Sequence, residues 1–422
     1  MYQAPRGTAD ILPQEQAYWH FVEQKAAMVC QLYGYERIDS PVFEDTMLFA
    51  RGVGDATDIV DKEMYTFQDR GGNSLTLKPE GTASICRAYV EHGMHNLPQP
   101  VKLYYITPIF RYDRPQAGRY RQHHQFGCEA IGDDDPALDA EVIDMAWRYF
   151  QSLNLRRLLL SLNSIGCKKC RPVYEEHLRN YSAGHVASLC SDCKARLLTK
   201  PLRLLDCKKS SCQQMASSAP RSIDYLCRQC DEHFSQLKRY LRLLGLPFEI
   251  NHRLVRGLDY YTRTVFEIQP EVEGAQSTLG GGGRYDDLIE ELGGKPAPAL
   301  GFAVGLERVI LNLKKQHVPA PPLPRPQVFI AYMGDKAKDE VVKLASRLRQ
   351  AGIGVIESIG GKSLKAQLRQ ANTFGVRHSV IIGEQEVKTG TVILRDMVNA
   401  QQETIPPDQL QKTLKQLPQY KE

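Results

Sequence analysis

The chain has 422 residues, enough for two or three domains at about 150 residues each. Hydrophobic residues make up 42% and charged residues 24%, which excludes a disordered chain, a fibre and a small disulfide-stapled protein. No apolar run approaches the ~18 residues of a membrane span, and the N-terminal segment MYQAPRGTADILP lacks the apolar stretch of a secretory signal. We therefore expect a cytoplasmic protein without a membrane partner.

The net charge of +5 is unevenly distributed along the chain. Residues 167–232 contain 12 Lys and Arg against 7 Asp and Glu, and residues 327–422 contain 14 against 10. Two basic segments on a slightly acidic remainder indicate a polyanionic partner. Two solubilising surfaces would explain the charge alone equally well.

The first half of the chain predicts a helix, a long hairpin and a second helix. Apolar residues recur at three- and four-residue spacing over 14–33, and Gly34 ends that helix. Residues 35–44 predict a strand that Pro41 interrupts. The segments VKLYYITPIFRY and RYRQHHQFGCEAIG predict an antiparallel hairpin around the loop DRPQAG, followed by a helix over 136–151 and a strand over 157–162.

The second half predicts an insertion, the return of the first domain, and a separate α/β domain. Strands are expected over 259–268 and 276–283, the second ending in a four-glycine run, and a helix over 303–313. Five prolines in VPAPPLPRP then form a stiff linker. Beyond it, strands and helices alternate as in βαβ units. The predicted domains are a core (1–166 and 233–313), a Cys-rich insertion (167–232), a linker (314–326) and a C-terminal domain (327–422).

Arginines are the groups that could handle phosphates in this sequence. No P-loop is present, since Gly280–Gly283 is not followed by Lys-Ser or Lys-Thr, and no helix-opening G-x-G-x-x-G follows a strand. Four arginines lie around the hairpin loop: Arg111, Arg114, Arg119 and Arg121. The planar guanidinium binds two phosphate oxygens at once and keeps its charge. A solvated basic hairpin is the alternative interpretation.

Several motifs together resemble the class II aminoacyl-tRNA synthetases, and within them the histidyl-tRNA synthetase family. GYERIDSPVFE resembles class motif 1, FRYDRPQAGRYRQHHQF motif 2 and GFAVGLERV motif 3. The segments TDIVDKEMYTFQDRGGNSLTLKPEGTA and LVRGLDYYTRTVFE are similar to segments peculiar to the histidine enzymes. The resemblance implies an α+β fold with an antiparallel sheet flanked by helices and a C-terminal α/β anticodon-binding domain. Motif 1 implies a homodimer.

The resemblance also implies an activity and the residues that perform it. The family ligates histidine to tRNA(His) through a histidyl-adenylate made from ATP with Mg2+. Arg111, Arg256 and Gln125 are implied as catalytic. The implied histidine-binding residues are Glu80, Gly81, Thr82, Gln125, Glu129, Arg256, Tyr260, Tyr261 and Tyr285. The implied ATP-binding residues are Arg111, Asp113, Arg119, His123 and Arg308.

Three positions depart from the family pattern, and four others are implied to contact tRNA. His123 stands where a Phe usually stacks on adenine, Asp113 replaces a commoner Glu, and Asp287 replaces a usual Gly. For tRNA, the motif 2 loop offers Arg114 and Gln116 to the acceptor stem, and the tail domain offers Lys362 and Lys365 to the anticodon arm.

Eight of the 11 cysteines fall in four pairs inside the insertion. The pairs are Cys167 with Cys170, Cys190 with Cys193, Cys207 with Cys212, and Cys227 with Cys230. Such spacings are typical of four-thiolate structural Zn2+ sites. Two sequential sites, joining the first pair to the second and the third to the fourth, are favoured. A crossed arrangement, joining the first pair to the third and the second to the fourth, fits nearly as well. Free thiols or disulfides remain alternatives.

Three other functions are weighed against the synthetase. One is a catalytically inactive paralogue that serves as regulatory subunit of ATP phosphoribosyltransferase; it lacks the anticodon domain, whereas residues 327–422 and the motif arginines are present here. Another is a class II synthetase for a different amino acid, which LVRGLDYYTRTVFE disfavours. The third is a zinc-dependent nucleic-acid-binding module with an inactive core.

Overall fold

The computed structural model describes residues 2–53, 59–114, 116, 118–271 and 278–416. Parts of the predicted segments 57–83, 276–283 and 327–422, and Pro115 and Ala117 of the predicted hairpin loop, lie outside the described residues. The chain forms two compact units, Met1–Ala320 and Pro321–Glu422.

The first unit is a mixture of helices and strands. Its α-helices are α1 (Gln16–Leu32), α2 (Thr46–Val53), α3 (Thr82–Glu91), α4 (Pro136–Ser152), α5 (Arg171–Ala183), α6 (Ser191–Thr199), α7 (Ser210–Ser217), α8 (Arg228–Leu243), α9 (Leu288–Glu291) and α10 (Leu306–Lys315). Its strands are β1 (Glu36–Arg37), β2 (Phe43–Asp45), β3 (Tyr65–Gln68), β4 (Ser74–Leu77), β5 (Val101–Phe110), β6 (Gln122–Ile131), β7 (Leu158–Ser164), β8 (Glu249–Ile250), β9 (Thr262–Pro270), β10 (Gly280–Arg284) and β11 (Ala299–Gly305).

Eight strands build one large sheet in the order β1-β5-β6-β11-β10-β9-β7-β8. The six central strands are antiparallel, and only the short edge strands β1 and β8 pair in parallel. The predicted fold class, an antiparallel sheet flanked by helices, is therefore confirmed.

The two faces of the sheet have different partners because successive side chains of a strand point to opposite faces. On one face Phe126, Cys128 and Ala130 of β6 pack with buried residues of α1, α4, α8 and α10. On the other face β5 contributes Leu103 and Tyr105, which pack with residues of α3, α5 and α9. This second face is only partly covered by helices and carries the cleft described below.

Most predicted elements are confirmed, and three predictions need correction. The expected strand over 35–44 is two short strands in different sheets, β1 and β2, because Pro41 lacks the N–H that a continuous ladder needs. The helix expected from 303 begins at Leu306, since Ala299–Gly305 is strand β11. The four-glycine run is itself β10 rather than the end of a strand, and a Cβ at Gly282 would lie 1.9 Å from the Gly301 carbonyl oxygen.

The Cys-rich insertion is helical and contains α5, α6, α7 and the start of α8. Its predicted end at residue 232 falls inside α8, which continues as one helix to Leu243. Leu237 and Leu241 of α8 are buried in the same cluster as α4. The last helix of the insertion is thus also a core helix of the first unit.

The second unit confirms the predicted α/β pattern. It contains β12 (Val328–Tyr332), α11 (Asp335–Gln350), β13 (Val355–Glu357), α12 (Leu364–Phe374), β14 (His378–Ile382), α13 (Glu384–Thr389), β15 (Val392–Asp396), β16 (Gln402–Ile405) and α14 (Pro407–Gln416). The sheet order is β13-β12-β14-β15-β16, with parallel pairing among the first three strands. Across the described residues of both units, no helix has the length and apolar character needed to cross a membrane.

Candidate active site

Strand β6 places three predicted site residues on one face of the large sheet. His123, Gln125 and Glu129 share the parity that points away from the buried Phe126. Strand β11 pairs with β6 so that Gly301 lies opposite Glu129 and Gly305 opposite Gln125. A Cβ at Gly301 would lie 1.9 Å from a Glu129 carboxylate oxygen, so this glycine makes room for the Glu129 side chain, whereas the nearest atom to a Cβ at Gly305 is 4.0 Å away in Arg308.

One cleft gathers most of the predicted site residues. Its empty volume, including the open mouth, is about 1120 Å³. The predicted residues that line it are Glu80, Thr82, Arg111, Asp113, Arg119, His123, Gln125, Arg256, Tyr260, Tyr261, Tyr285 and Arg308. Residues from α3, β5, β6, β9 and α10 or their flanking loops thus meet in a single site.

The outer part of the cleft is strongly cationic. Arg111 donates to the Pro79 carbonyl oxygen at 2.7 Å, and Arg119 forms an ion pair with Asp113. Arg308 donates to the carbonyl oxygens of Gly118 and Thr278 at 2.8 and 3.2 Å. Burial lowers the pKa of the Arg308 guanidinium, and the neighbouring Arg119 and Arg111 lower it further. Like charges held this close favour a polyanionic ligand.

Arg256 reaches the cleft from the segment before β9. Its guanidinium forms an ion pair with Glu267 of β9, and the other Glu267 oxygen accepts from the Thr278 hydroxyl at 3.1 Å. A Cβ at Gly281 would lie 2.9 Å from an Arg256 nitrogen. The absence of a side chain at Gly281 therefore makes room for Arg256, and Glu267 fixes its direction.

The deep end of the cleft is built on a buried carboxyl group. Glu129 is 1% exposed and accepts from the hydroxyls of Thr82 at 2.8 Å and Tyr105 at 3.1 Å, and from Tyr285. Burial raises the pKa of Glu129 to about 8, although hydrogen bonds from Tyr285 and Thr82 oppose the rise. Glu129 is therefore mostly protonated near neutral pH and lies just behind the lining residues.

The Glu80 side chain accepts hydrogen bonds from the first turn of α3. Its two carboxylate oxygens accept from the backbone N–H groups of Thr82 at 2.8 Å and Ala83 at 2.7 Å, which satisfies two free donors of the first turn. Burial raises the pKa of Glu80, and these N–H groups oppose that rise. The Tyr260 hydroxyl lies 3.4 Å from Glu80. Gly81 does not line the cleft; a Cβ there would lie 2.4 Å from the Tyr105 ring.

Two of the three departures from the family pattern lie in the cleft. Burial, followed by the charges of Arg111 and Arg308, lowers the pKa of His123 to about 3, so its ring is neutral at physiological pH. Asp113 holds Arg119. Asp287 is not among the lining residues and instead forms an ion pair with Lys168 at 3.1 Å.

Gln125 lines the cleft and has an unsatisfied side-chain group. Its side-chain oxygen is buried and makes no hydrogen bond among the described residues. Buried polar groups normally have partners, and an unpaired one in a cleft indicates a ligand that supplies the partner.

The predicted tRNA residues lie outside the cleft. Arg114 and Gln116 are exposed in the loop between β5 and β6, where Gln116 and Arg119 exchange backbone hydrogen bonds at 2.9 and 3.1 Å. Lys362 and Lys365 are exposed at the start of α12 in the second unit.

The structure groups the cysteine pairs differently from both predicted arrangements. Cys167 and Cys170 meet Cys227 and Cys230, whereas Cys190 and Cys193 meet Cys207 and Cys212. In each group the four sulfurs lie within 4.8 Å of one another. The sequential and the crossed pairings are therefore both wrong, because the insertion folds back on itself and brings its two ends together.

Three residues that the sequence did not single out as site residues support the cleft. Tyr105 holds Glu129, Glu267 holds Arg256, and Glu307 accepts from the backbone N–H of His124 in β6 at 2.8 Å. The alternation of side chains along β5 could have indicated that Tyr105 lies on the same face of the sheet as the cleft. No local pattern predicts the role of Glu267, because that role depends on Arg256, 11 residues away.

The antiparallel sheet of this topology, the arginines in the cleft on its open face and the α/β second unit are the features of a class II aminoacyl-tRNA synthetase. The family model described as Histidyl-tRNA synthetase matches residues 7–309, and the Anticodon binding domain model matches residues 327–417. The chain belongs to the histidyl-tRNA synthetase family.

Known relatives agree with this assignment over nearly the whole chain. A histidine–tRNA ligase of Dehalococcoides mccartyi is 63% identical over 97% of this chain and 98% of its own, and one of Desulforamulus reducens is 52% identical over 95% and 96%. The crystal structure of apo S. aureus histidyl-tRNA synthetase has a TM-score of 0.83 at 39% identity, covering 99% of this chain and all of that one. The predicted family and enzyme class are thereby confirmed.

Proposed function

We propose that this cleft activates histidine with ATP and that the product is then transferred to tRNA(His), as expected of a histidine–tRNA ligase. The proposal rests on one observation: two chemically different halves adjoin within the same cleft. A cationic outer half, with Arg111, Arg119 and Arg308, adjoins an inner half of buried carboxyl and hydroxyl groups around Glu129.

The inner half is suited to histidine. An imidazole offers one donor and one acceptor, and we assign Glu129 and the Tyr261 hydroxyl to them. Glu80 and Thr82 bind the α-amino group, and Gln125 orients the carboxylate region. Tyr260 and Tyr285 line the pocket, while Gly81 acts by leaving space for Tyr105. A site built from buried polar groups rejects analogues that leave those groups unpaired.

The outer half is suited to ATP, which enters as the substrate with Mg2+. Arg111 binds the α-phosphate, with Arg256 opposite, and Arg119 and Arg308 bind the γ-phosphate. The neutral ring of His123 offers an aromatic face to adenine without adding another positive charge. Asp113 keeps Arg119 in place.

The chemistry of the first step needs positioning and charge stabilisation rather than a base. The ionised histidine carboxylate attacks the α-phosphorus in line, a carboxylate oxygen–phosphorus bond forms, and the bond to the leaving pyrophosphate breaks. Arg111 and Arg256 stabilise the charge on the transferring phosphate. In the second step a tRNA hydroxyl attacks the acyl carbon and AMP leaves.

The tRNA contacts, the assembly state and the location are part of the same proposal. Arg114 and Gln116 serve the acceptor stem, and Lys362 and Lys365 contact phosphates of the anticodon arm. The residues of the motif 1 segment carry exposed apolar side chains, including Val42 and Phe43, as a homodimer interface requires. The predicted domain boundaries and a cytoplasmic location belong to the proposal too.

The four-cysteine groups of the insertion are proposed to hold structural Zn2+. Four thiolates satisfy the tetrahedral coordination that zinc prefers. The insertion's own buried cluster is small and comprises Leu189, Cys193, Leu197, Leu204, Cys212 and Met215. Its other buried residues, such as Tyr174 and Leu178, pack in the core of the first unit. Metal binding would supply the missing folding free energy.

The regulatory paralogue is the weaker candidate. A structure described as an ATP phosphoribosyltransferase regulatory subunit/histidyl-tRNA synthetase from Bacillus halodurans has a TM-score of 0.64 at 22% identity, which shows a shared fold. The anticodon-binding unit of this chain favours the ligase. Charging of a tRNA(His) transcript with labelled histidine separates the two, because the regulatory protein would not form histidyl-tRNA.

A further inference from the structure

The two cysteine groups occupy different places in the insertion. The first, called here the neck cluster, comprises Cys167, Cys170, Cys227 and Cys230. Cys167 follows β7 by three residues and Cys227 directly precedes α8, so this cluster joins the two ends of the insertion. The second, called the tip cluster, comprises Cys190, Cys193, Cys207 and Cys212 and lies within the separate small core.

The sulfur spacing matches metal coordination and not disulfide bonds. With Zn–S bonds of about 2.3 Å, tetrahedral geometry places neighbouring sulfurs about 3.8 Å apart. In the neck cluster Cys167 lies 3.8 Å from Cys170 and 3.9 Å from Cys227, and in the tip cluster Cys190 lies 4.0 Å from Cys207. A disulfide requires about 2.05 Å.

The chain that leads into the neck cluster is hydrogen-bonded to the start of strand β9, which directly follows the pocket residue Tyr261. The Ile165 N–H donates to the Arg263 carbonyl oxygen at 2.8 Å, and the Arg263 N–H donates to the Gly166 carbonyl oxygen at 2.8 Å. Gly166 has a φ of +74°, and a Cβ there would lie 2.8 Å from the Cys170 sulfur. Only glycine therefore lets the chain pass from β7 into the cluster so closely.

Arg171 connects the cluster to the pocket. It directly follows Cys170 at the first turn of α5, and its guanidinium donates to the carbonyl oxygens of Tyr261 and, at 3.3 Å, of Gly166. Tyr261 lines the cleft and is buried. Lys168, between the two neck cysteines, adds the ion pair with Asp287, two residues after Tyr285. The short segment from Cys167 to Arg171 thus contacts the chain at Tyr261 and, through Asp287, next to Tyr285.

We infer that the neck cluster is a metal site that positions the histidine pocket through Arg171. The tip cluster folds the insertion and is separated from the pocket residues by Lys200 and Arg203, which contact Asp259 and the Arg256 carbonyl oxygen. The inference rests on the proposed function for Tyr261. The metal holds Cys170 and so fixes the first turn of α5. Arg171 then holds the backbone of Tyr261, whose side chain meets the substrate. Arg171 is a positioning residue and touches neither substrate.

Zinc stoichiometry tests the pairing on the purified full chain. The wild type should carry two equivalents of zinc, and the double variant Cys167→Ser with Cys227→Ser should retain one, because both residues belong to the neck cluster. Sequential or crossed pairing predicts that this variant retains none. The matched variant Cys167→Ser with Cys190→Ser should lose both equivalents, and Cys30→Ala, a buried cysteine outside the insertion, should keep two. A wild type without zinc, or a 167/227 variant without zinc, would overturn the assignment.

Steady-state pyrophosphate exchange tests the positioning role. Arg171→Ala, which keeps all eight cysteines, should raise the KM for histidine by about tenfold or more with the KM for ATP nearly unchanged. Arg171→Lys should restore part of the loss, since one donor remains. Arg179→Ala, on the same helix with an i,i+4 partner at Glu175, is the control and should behave as wild type. An unchanged KM for histidine in Arg171→Ala refutes the positioning role.

Loss of each metal separately gives the second readout. Cys227→Ser with Cys230→Ser should raise the KM for histidine. Cys207→Ser with Cys212→Ser should lose one zinc and raise that KM less, because the tip contacts only the 256–259 segment, through Lys200 and Arg203. Equal effects of the two variants would contradict the division between neck and tip. If a cysteine variant does not fold, the measurements on Arg171→Ala and Arg171→Lys still test the positioning role. A wild type that binds two zinc ions but shows no histidine-dependent exchange would instead refute the proposed function.

Discussion

The Arg256 guanidinium lines the cleft and is held there by an ion pair with Glu267 of strand β9. Thr278 holds the other Glu267 oxygen at 3.1 Å. Burial lowers the pKa of Arg256, but Glu267, Tyr261 and Tyr260 together outweigh that effect and raise the pKa above its usual range. The cation is therefore fixed in charge and in direction before any phosphate arrives.

Replacement of Arg256 by His should reduce histidine-dependent pyrophosphate exchange by about 10²–10³-fold, because one preorganised charge at the α-phosphate is lost. Histidine binding measured by calorimetry should change little. Arg253→His, at an exposed position outside the cleft, is the matched control. An exchange rate equal to wild type would show that Arg256 does not touch the α-phosphate.

Replacement of Glu129 by Ala should raise the KM for histidine strongly and leave the KM for ATP nearly intact, since the carboxyl group lies at the deep end of the cleft. The three hydroxyls that bond Glu129 would lose their acceptor, so the variant's thermal unfolding must be checked. If ATP binding collapses instead, Glu129 has a structural role.

Glu129 should also make the stability of the protein depend on pH. Its folded-state pKa of about 8 lies above the unfolded value of 4.5, so the folded state holds the proton more tightly. This contribution is complete below the unfolded pKa and is lost as pH rises through the folded pKa. Between pH 5 and pH 7.5 the wild type should lose about 3 kcal/mol of unfolding free energy relative to Glu129→Gln. Parallel pH profiles from urea unfolding of the two proteins would show that the Glu129 pKa is not raised.

Replacement of Arg114 by Ala should impair tRNA charging and spare pyrophosphate exchange, because Arg114 is exposed on the loop outside the cleft. Equal losses in both assays for Arg114→Ala would place that loop at the ATP site.

Removal of the residues after Pro326 should also reduce tRNA charging more than pyrophosphate exchange. The double variant Lys362→Ala with Lys365→Ala should weaken tRNA binding and reduce its salt dependence.

Much of the site could be predicted from the sequence because the residues lie in contiguous motifs. The alternation in β6 places His123, Gln125 and Glu129 on one face, and local spacing is enough to see it. Glu267 and Tyr105 were not assigned roles, since each acts on a partner that only the folded sheet brings close. The resemblance also assigned substrate contact to Gly81, whereas the structure gives it the role of admitting the Tyr105 ring.

The cysteine pairing could not be predicted from spacing. Local spacing defines which two cysteines form a knuckle, but the choice among knuckles depends on how the chain between them folds. Here Cys167 meets Cys227 because β7 and α8 both belong to the core and bring the ends of the insertion together. The two middle pairs, Cys190 with Cys193 and Cys207 with Cys212, then group together within the helical insertion.

The central claim is that one cleft joins histidine to ATP, and pyrophosphate exchange into ATP measured with each of the twenty amino acids tests it most directly. Label should enter ATP with histidine and with no other amino acid, because the buried hydroxyls and carboxyls around Glu129 match an imidazole. The Arg256→His variant supplies the inactive reference in the same assay. Exchange driven by another amino acid, or no exchange with histidine, would contradict the account.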